Sequence, residues 1–494
     1  MESSRHLHLQ DIIFTRETSS RQISNWEKAG LVKKIAPRIY TGKVEEAPET
    51  LIRRNLFSIL GHQYPNAIIS YRSAFELKPT ATDDFFLTYT YTRKIVLPGL
   101  NLHILKGKGP IAGDRLFVGA LYLGQQARTF LENLQVSRRS GSHSKTLPRA
   151  VVEEKLESII RVNGESAINE LRNQARKIAP ELFMERAFER LDQIISALLT
   201  THNSKILQSP AAKARAMGMP FDVGRIQLFE RLFIALQQRT LKSRPDKNKS
   251  ALAFHNFAFF ESYFSNYIEG TIFKVMEARE IIETQQPLPA RNEDSHDILG
   301  TYNIVSSRRE MKIVPSSGEQ LLEILKYRHQ ILLSARRDKQ PGQFKQLDNF
   351  AGNTSFVAHE LVKGTLIEGF GFYRALHSPI AKALFIMFMI SEVHPFLDGN
   401  GRTARVMMNA ELVSSGEAKI MIPTVYRDDY IDALRRLTRR SDPDAYIRMM
   451  LRAHEFSSNV YGDDRAEMEA YLYKCNAFME ETEGQILRIA PREE

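Results

Sequence analysis

The sequence has a single cysteine, Cys475, among 494 residues. One thiol excludes an internal disulfide and a cysteine-built metal cluster, and it suits a reducing compartment. No apolar run is long enough to cross a bilayer; Ile380 to Val393 has the length of a buried helix instead. The opening residues Met1 to His6 contain no apolar signal core, so the expectation is a cytoplasmic protein with no membrane partner. No GxxxxGK[ST] stretch occurs, which argues against a P-loop kinase or NTPase, and His359-Glu360 lacks the second histidine of a zinc protease. Negative charge is in deficit. With 68 Lys and Arg against 58 Asp and Glu, the formal charge of +10 favours acidic partners such as nucleic acid or nucleotide. The 43% hydrophobic and 26% charged content is that of a globular chain, and the length predicts several domains.

In chain order, Thr18 to Ala29 reads as a short helix closed by Gly30, followed by two alternating stretches, Leu31 to Ile35 and Pro37 to Tyr40. The pattern predicts a small winged helix-turn-helix. Arg16, Arg21, Lys28, Lys33, Lys34, Arg38 and Lys43 make it basic, with Glu17 and Glu27 opposing. Such residues suit phosphate contacts, with Arg21 and Asn25 in reach of base edges. A solvated face on a protein-interaction fold accounts for the same charges, so DNA and protein both stay open as partners. A helix is expected over Thr50 to Tyr64. Asp84 to Leu123 holds short β-branched and aromatic runs that predict a small sheet, and Arg149 to Thr201 returns to amphipathic helices. The stretches "KAGLVKKIAPRIYTG" and "AIISYRSAFEL" resemble the N-terminal part of AbiEi-type antitoxins of type IV toxin–antitoxin systems. That resemblance implies promoter binding through a winged helix-turn-helix.

Chemistry concentrates in His394-Pro395-Phe396-Leu397-Asp398-Gly399-Asn400-Gly401-Arg402-Thr403-Ala404-Arg405. An apolar helix precedes it and a second helix, Arg402 to Val413, follows. The glycines let successive N–H groups turn inward as an anion nest, reinforced by the positive end of the next helix. Arg402 and Arg405 add fixed positive charge, and Asp398 is a hard oxygen ligand suited to Mg²⁺ beside phosphates. His394 is the side chain able to take a proton near neutral pH.

This pattern, HPFLDGNGRTAR, resembles the signature of Fic-domain protein adenylyltransferases. The resemblance implies transfer of AMP from ATP to a Ser, Thr or Tyr hydroxyl of a target protein. In that scheme His394 is the general base and Asp398 binds Mg²⁺. Gly399, Asn400 and Gly401 form the anion hole, Arg402 steadies the phosphates and Arg405 contacts the γ-phosphate. Ser265, Glu269 and Gly270 resemble the inhibitory motif of family members whose inhibitory helix precedes the core. Glu269 is then expected to pair with Arg405 and hold the enzyme inactive. Thr354, Ser355, Phe356 and Val357 are expected in a target-docking flap that adds a strand to the target backbone.

The expected architecture is multi-domain and mainly α. It has a winged helix-turn-helix over 1–80, a mixed α/β antitoxin-like region over 81–223 and a connection over 224–250. An all-α Fic domain with a short β-hairpin flap covers 251–456, its inhibitory helix near 260–275, and a charged helical tail covers 457–494. Three alternatives stay open: a DNA-binding regulator in which the Fic fold senses nucleotide, removal of AMP rather than its transfer, and assembly as a homodimer.

Overall fold

Ser19 opens the first helix, Ser20–Lys28, by accepting a hydrogen bond from the Gln22 N–H. The computed structural model describes residues 11–15, 18–199, 206–352, 354–480 and 486–492, and it divides into two units, Met1–Met217 and Gly218–Glu494. The expectations for Met1 to His6, Arg16 and Glu17 lie outside the described residues.

In the first unit, strands Lys33–Ala36 and Ile39–Thr41 pair antiparallel, and Ile13–Phe14 pairs with the far side of Ile39–Thr41. The helix expected over Thr50 to Tyr64 is two helices, Pro48–Arg54 and Leu56–Gln63. At the break, the Asn55 amide donates to the Leu51 carbonyl at 3.0 Å, a side-chain bond that competes with the helical ladder. A six-stranded mixed sheet follows. In it Asp84–Tyr89 pairs parallel with Leu100–Lys106 and antiparallel with Ile68–Ile69. The expected division at residue 80 does not separate two cores, because Leu51 and Leu60 share one apolar cluster with Phe85 and Leu102. A second cluster joins Arg149–Leu182, which is broken at Gly164 (φ 82°), with Glu185–Leu198 and Pro210–Ala216.

The second unit is helical apart from small β elements. Its centre is Pro379–Val393, capped by Ser378 and almost wholly buried, with Asn400–Ser414 packed beside it. Residues 224–250, expected as a connection, lie mostly in the helix Val223–Gln237 and a following segment. Leu228, Leu232 and Leu236 recur every fourth residue, so one stripe of that helix is buried with Leu384 and Phe385. The expected tail also joins the fold: Met468, Leu472 and Cys475, in and just after helix Arg465–Lys474, are buried in a cluster with Phe260 and Phe264. The helix opened by Ser317 runs Gly318–Leu332, and Arg336, just beyond it, pairs with Asp297 at 2.8 Å. Phe350–Ala351 and Thr354–Ser355 form the antiparallel hairpin of the expected flap. Among the described residues no helix is long and apolar enough to cross a membrane.

Candidate active site

His394 ends helix Pro379–Val393 in the left-handed region (φ 53°), its N–H donating to the Ile390 carbonyl at 2.9 Å. That conformation is uncommon for a residue with a Cβ, and it swings the imidazole out of the helix line. Nδ1 lies 3.2 Å from the Ser391 carbonyl oxygen and so acts as the donor, which leaves Nε2 with its lone pair. Burial pushes the imidazole pKa down to about 4, against the Ser391 bond and helped by the nearby Lys345 charge. The ring is therefore neutral near pH 7, the state a base requires. Phe356 stacks on it with centroids 3.7 Å apart and planes 10° from parallel.

The loop after His394 is held from within. Asn400 accepts from the Phe396 N–H at 2.8 Å and donates to the Phe396 carbonyl at 2.9 Å. This reciprocal clamp uses its side chain for loop shape and leaves its N–H for a ligand. Gly399 sits at φ 70°, and a Cβ there would lie 2.9 Å from Leu333. The Thr403 N–H bonds back to the Gly399 carbonyl at 3.0 Å, so the N–H groups of Asn400, Gly401 and Arg402 precede the first helical bond. Asp398 Oδ1 accepts from the Gly399 N–H at 2.6 Å, and Oδ2 has no hydrogen-bond partner among the described residues. Behind the loop, His329 Nε2 donates to the Asp398 carbonyl at 3.0 Å while Nδ1 accepts from the Gly342 N–H at 2.9 Å. Its ring stacks on Phe396 at 3.7 Å. No sequence signal marked His329.

The two arginines separate in role. Arg402, expected on the phosphates, has Nη1 2.7 Å from Asp297 Oδ2, with both side chains buried. A buried guanidinium needs a countercharge, and Asp297 supplies it, so Arg402 offers the nest its N–H while its side chain holds the core. Arg405 meets the expected residues. Its Nη2 lies 2.7 Å from Glu269 Oε1 and 2.9 Å from the Ser265 carbonyl oxygen, and its Nε donates to Ser265 Oγ at 3.0 Å. Glu269 is the C-cap of helix Ala251–Ile268, and Gly270 (φ 88°) turns the chain away. The same Glu269 oxygen sits so close over Gly401 that a Cβ there would collide with it. One carboxylate thus covers both the arginine and the nest.

A cavity of ≈ 470 Å³ joins these groups; His394, Glu269, Gly401, Arg405, Thr354 and Phe356 line it, with Phe388, Tyr430 and Leu434 on an apolar wall. The flap is tied to its rim. Arg225 Nη2 donates to the Ser355 carbonyl at 2.6 Å and Arg439 Nη2 to Thr354 Oγ1 at 3.0 Å. Arg225 Nε is also 3.0 Å from Glu392 Oε1, and Thr438 donates to Glu392 Oε2 at 2.6 Å. Neither Arg225 nor Glu392 stood out in the sequence. Val357, expected on the docking edge, is fully buried in the apolar core: in the segment after the hairpin it is one of the residues that anchor the flap. In the first unit, Arg21, Asn25, Lys33, Lys34 and Arg38 are all exposed, and the four cations among them have no ion-pair partner among the described residues.

A neutral histidine, a helix N-terminus and an arginine thus surround one cavity on a helical scaffold. Residues 320–412 match the Fic/DOC family model. The chain is 26% identical over 251 residues to "Protein adenylyltransferase Fic" of Drosophila persimilis, covering 46% of this chain and 47% of that protein. It is 27% identical over 206 residues to the protein of the same name from Nematostella vectensis, covering 40% and 47%. The chain thus spans about half the length of the curated relatives it matches. Among solved structures it is similar to a Fic-1 fragment from C. elegans, with TM-score 0.36, 17% identity, and coverage of 67% of this chain and 89% of that one.

Proposed function

We propose that the chain transfers AMP from ATP to a Ser, Thr or Tyr hydroxyl of a protein, and that Glu269 restrains this activity. One observation carries the reading: His394, its Nδ1 committed to Ser391, lines the same cavity as Gly401 and Arg405. The target oxygen attacks the α-phosphorus, its proton passes to His394 Nε2, and the bond to the β-phosphate oxygen breaks to release pyrophosphate. The N–H groups at Asn400, Gly401 and Arg402 meet the charge that develops on the phosphate oxygens. Arg405, once freed from Glu269, holds the γ-phosphate.

Among the described residues no three His, Cys, Asp or Glu side chains gather as a metal site. A lone carboxylate with one open oxygen, Asp398, fits Mg²⁺, which takes one or two protein carboxylates and completes its shell with phosphate oxygens and water. Bound there, Mg²⁺ would neutralise phosphate charge. Thr354 and Ser355 belong to the hairpin that would pair with the target backbone, with Phe356 covering His394 until a target arrives.

Incubation with labelled ATP and Mg²⁺ tests the reading. The Glu269→Gly variant should label itself or a target, wild type weakly, and the double variant with His394→Ala not at all while still binding ATP. Absence of both labelling and improved ATP binding in Glu269→Gly would sink the proposal.

A second activity in the first unit, DNA binding, is favoured by the exposure of Arg21 and Asn25 one turn apart, with Lys33 and Lys34 on the adjoining strand. A shift assay on DNA upstream of the gene checks it. Arg21→Ala and Lys33→Ala should each weaken binding and lower its salt dependence.

A further inference from the structure

The first unit contains a cavity of ≈ 490 Å³ that none of the chemistry above uses. It opens beside the hairpin turn at Pro37-Arg38 and along one face of strand Arg93–Leu97. Side chains alternate along a strand, and Arg93, Ile95 and Leu97 line the cavity whereas Lys94 and Val96 do not. Three tyrosines form a chain across it: Tyr64 to Tyr89 at 6.0 Å and Tyr89 to Tyr91 at 5.3 Å, both edge-to-face. Tyr64 is buried and Tyr91 is 41% exposed, so the series runs from the floor to the mouth.

Two further facts mark it as a site rather than a packing gap. Arg38 and Arg93 line it, their guanidinium groups having neither an ion pair nor a hydrogen-bond partner among the described residues, and no Asp or Glu is among the described residues of the wall. Arg38 is also fixed in the left-handed region (φ 66°), with the Thr15 N–H bonded to its carbonyl at 3.3 Å. A non-glycine residue held there is uncommon, and it sets the direction in which the side chain leaves the turn. Burial pushes the Tyr64 phenol up to about 12, so it stays neutral and able to donate.

Aromatic walls select a flat ring, and unpaired guanidinium groups without a competing carboxylate select an anion. A nucleobase carrying its phosphate combines the two, and the volume is in the range of small-ligand sites. A base inside a duplex presents no free face, whereas an unstacked base does. We propose that the cavity formed by Tyr64, Tyr89, Tyr91, Arg38 and Arg93 binds one unstacked nucleobase with its phosphate, supplied by single-stranded nucleic acid or by a free nucleotide. This site is distinct from the Fic-domain cavity and from the exposed Arg21 and Asn25.

The test uses the full chain carrying Arg405→Ala, which disables the other nucleotide site. Fluorescence anisotropy is read with a labelled single-stranded mixed-sequence oligonucleotide, the same sequence as a duplex, and unlabelled AMP as competitor; direct AMP binding is read by calorimetry. Tyr91→Ala and Arg93→Ala should each weaken binding by roughly 5- to 50-fold. Lys94→Ala, on the opposite strand face, should change it by less than about twofold. Single-strand binding that AMP does not displace and that both cavity variants weaken assigns the site to a strand, and AMP binding lost in Tyr91→Ala assigns it to free nucleotide; both support the proposal. It is overturned if neither probe binds, or if binding persists unchanged in both cavity variants. Equal duplex and single-strand affinity, with Lys94→Ala as damaging as Arg93→Ala, also overturns it by reducing the effect to surface charge.

Discussion

Glu269 and Arg405 meet at 2.7 Å although 136 positions separate them in the chain, and the carboxylate that closes this pair also sits against Gly401. The chain's own carboxylate thus occupies both positions that the proposed transfer assigns to nucleotide phosphates, and the predicted behaviour follows from what holds it there.

Ser265 is the second tether. Its hydroxyl accepts from Arg405 Nε at 3.0 Å, a bond to a charged group worth about 1.5–3 kcal/mol. Ser265→Ala should loosen Arg405 without removing the Glu269 charge. Self-labelling with ATP is expected to rise above wild type and stay below Glu269→Gly. A rise equal to that of Glu269→Gly would give the serine, not the glutamate, the main part of the restraint.

The pH dependence of transfer in Glu269→Gly should carry the signature of a buried base. With His394 pushed down to about 4, the rate should be level near pH 7 and fall on the acid side towards that value. An acid limb centred near 6.5 would mean that the ring is solvated in the working enzyme.

Phe356 provides a way to move that limb. Its ring covers His394, and desolvation is the leading cause of the lowered pKa. Phe356→Ala lets water reach the imidazole, so the acid limb should shift upward towards 6.5. A pH–rate profile that does not move separates the stacked ring from the desolvation.

Asp297 should matter for stability as much as for activity. It pairs with Arg402 at 2.7 Å and with Arg336 at 2.8 Å, and its side chain is buried. Asp297→Ala leaves Arg402 buried without a countercharge, an effect of about 3–5 kcal/mol in urea unfolding followed by circular dichroism. A loss of ATP binding with stability unchanged would return Arg402 to the phosphates.

Stability should also fall on the acid side for a reason independent of catalysis. His329, His394 and His454 are each pushed down to about 4, with burial the leading cause. Their folded values lie below the ordinary 6.5, so the unfolded chain binds more protons between the two values. The contribution is complete above about pH 6.5 and is lost as pH falls towards 4. Thermal melts of the full chain should show a lower midpoint for the unit Gly218–Glu494 at pH 5 than at pH 7, and His454→Gln, outside the candidate site, should reduce that difference.

The twelve residues from His394 to Arg405 state their chemistry in one local stretch, because a nest, a helix start and a base need only neighbouring positions. The helices on either side were equally legible from apolar runs and caps. Sequence patterns also placed the hairpin and the first unit's helix and strands to within a few residues. Residues 224–250 were read as a connection because the stretch after Gln237 is polar and basic, although Leu228, Leu232 and Leu236 already mark a helical stripe before it. The tail's helix was expected; that Met468, Leu472 and Cys475 join a core was not, since three residues are too few to mark one by themselves.

By itself the sequence determined the groups present at the centre of the site, and the family resemblance pointed to Glu269 as the partner of Arg405. Tertiary structure decided the partner of each of two similar arginines. Arg402 and Arg405 lie three positions apart, with the same charge and reach, but Asp297 faces one and Glu269 the other. Tertiary structure also made the Asn400 side chain a clamp on Phe396, buried Val357, and brought Arg225, Glu392 and His329 to the site. Each of these depends on which residues meet across long sequence separations. Backbone propensity and spacing describe one segment at a time, whereas a charge's partner is set by the packing of several.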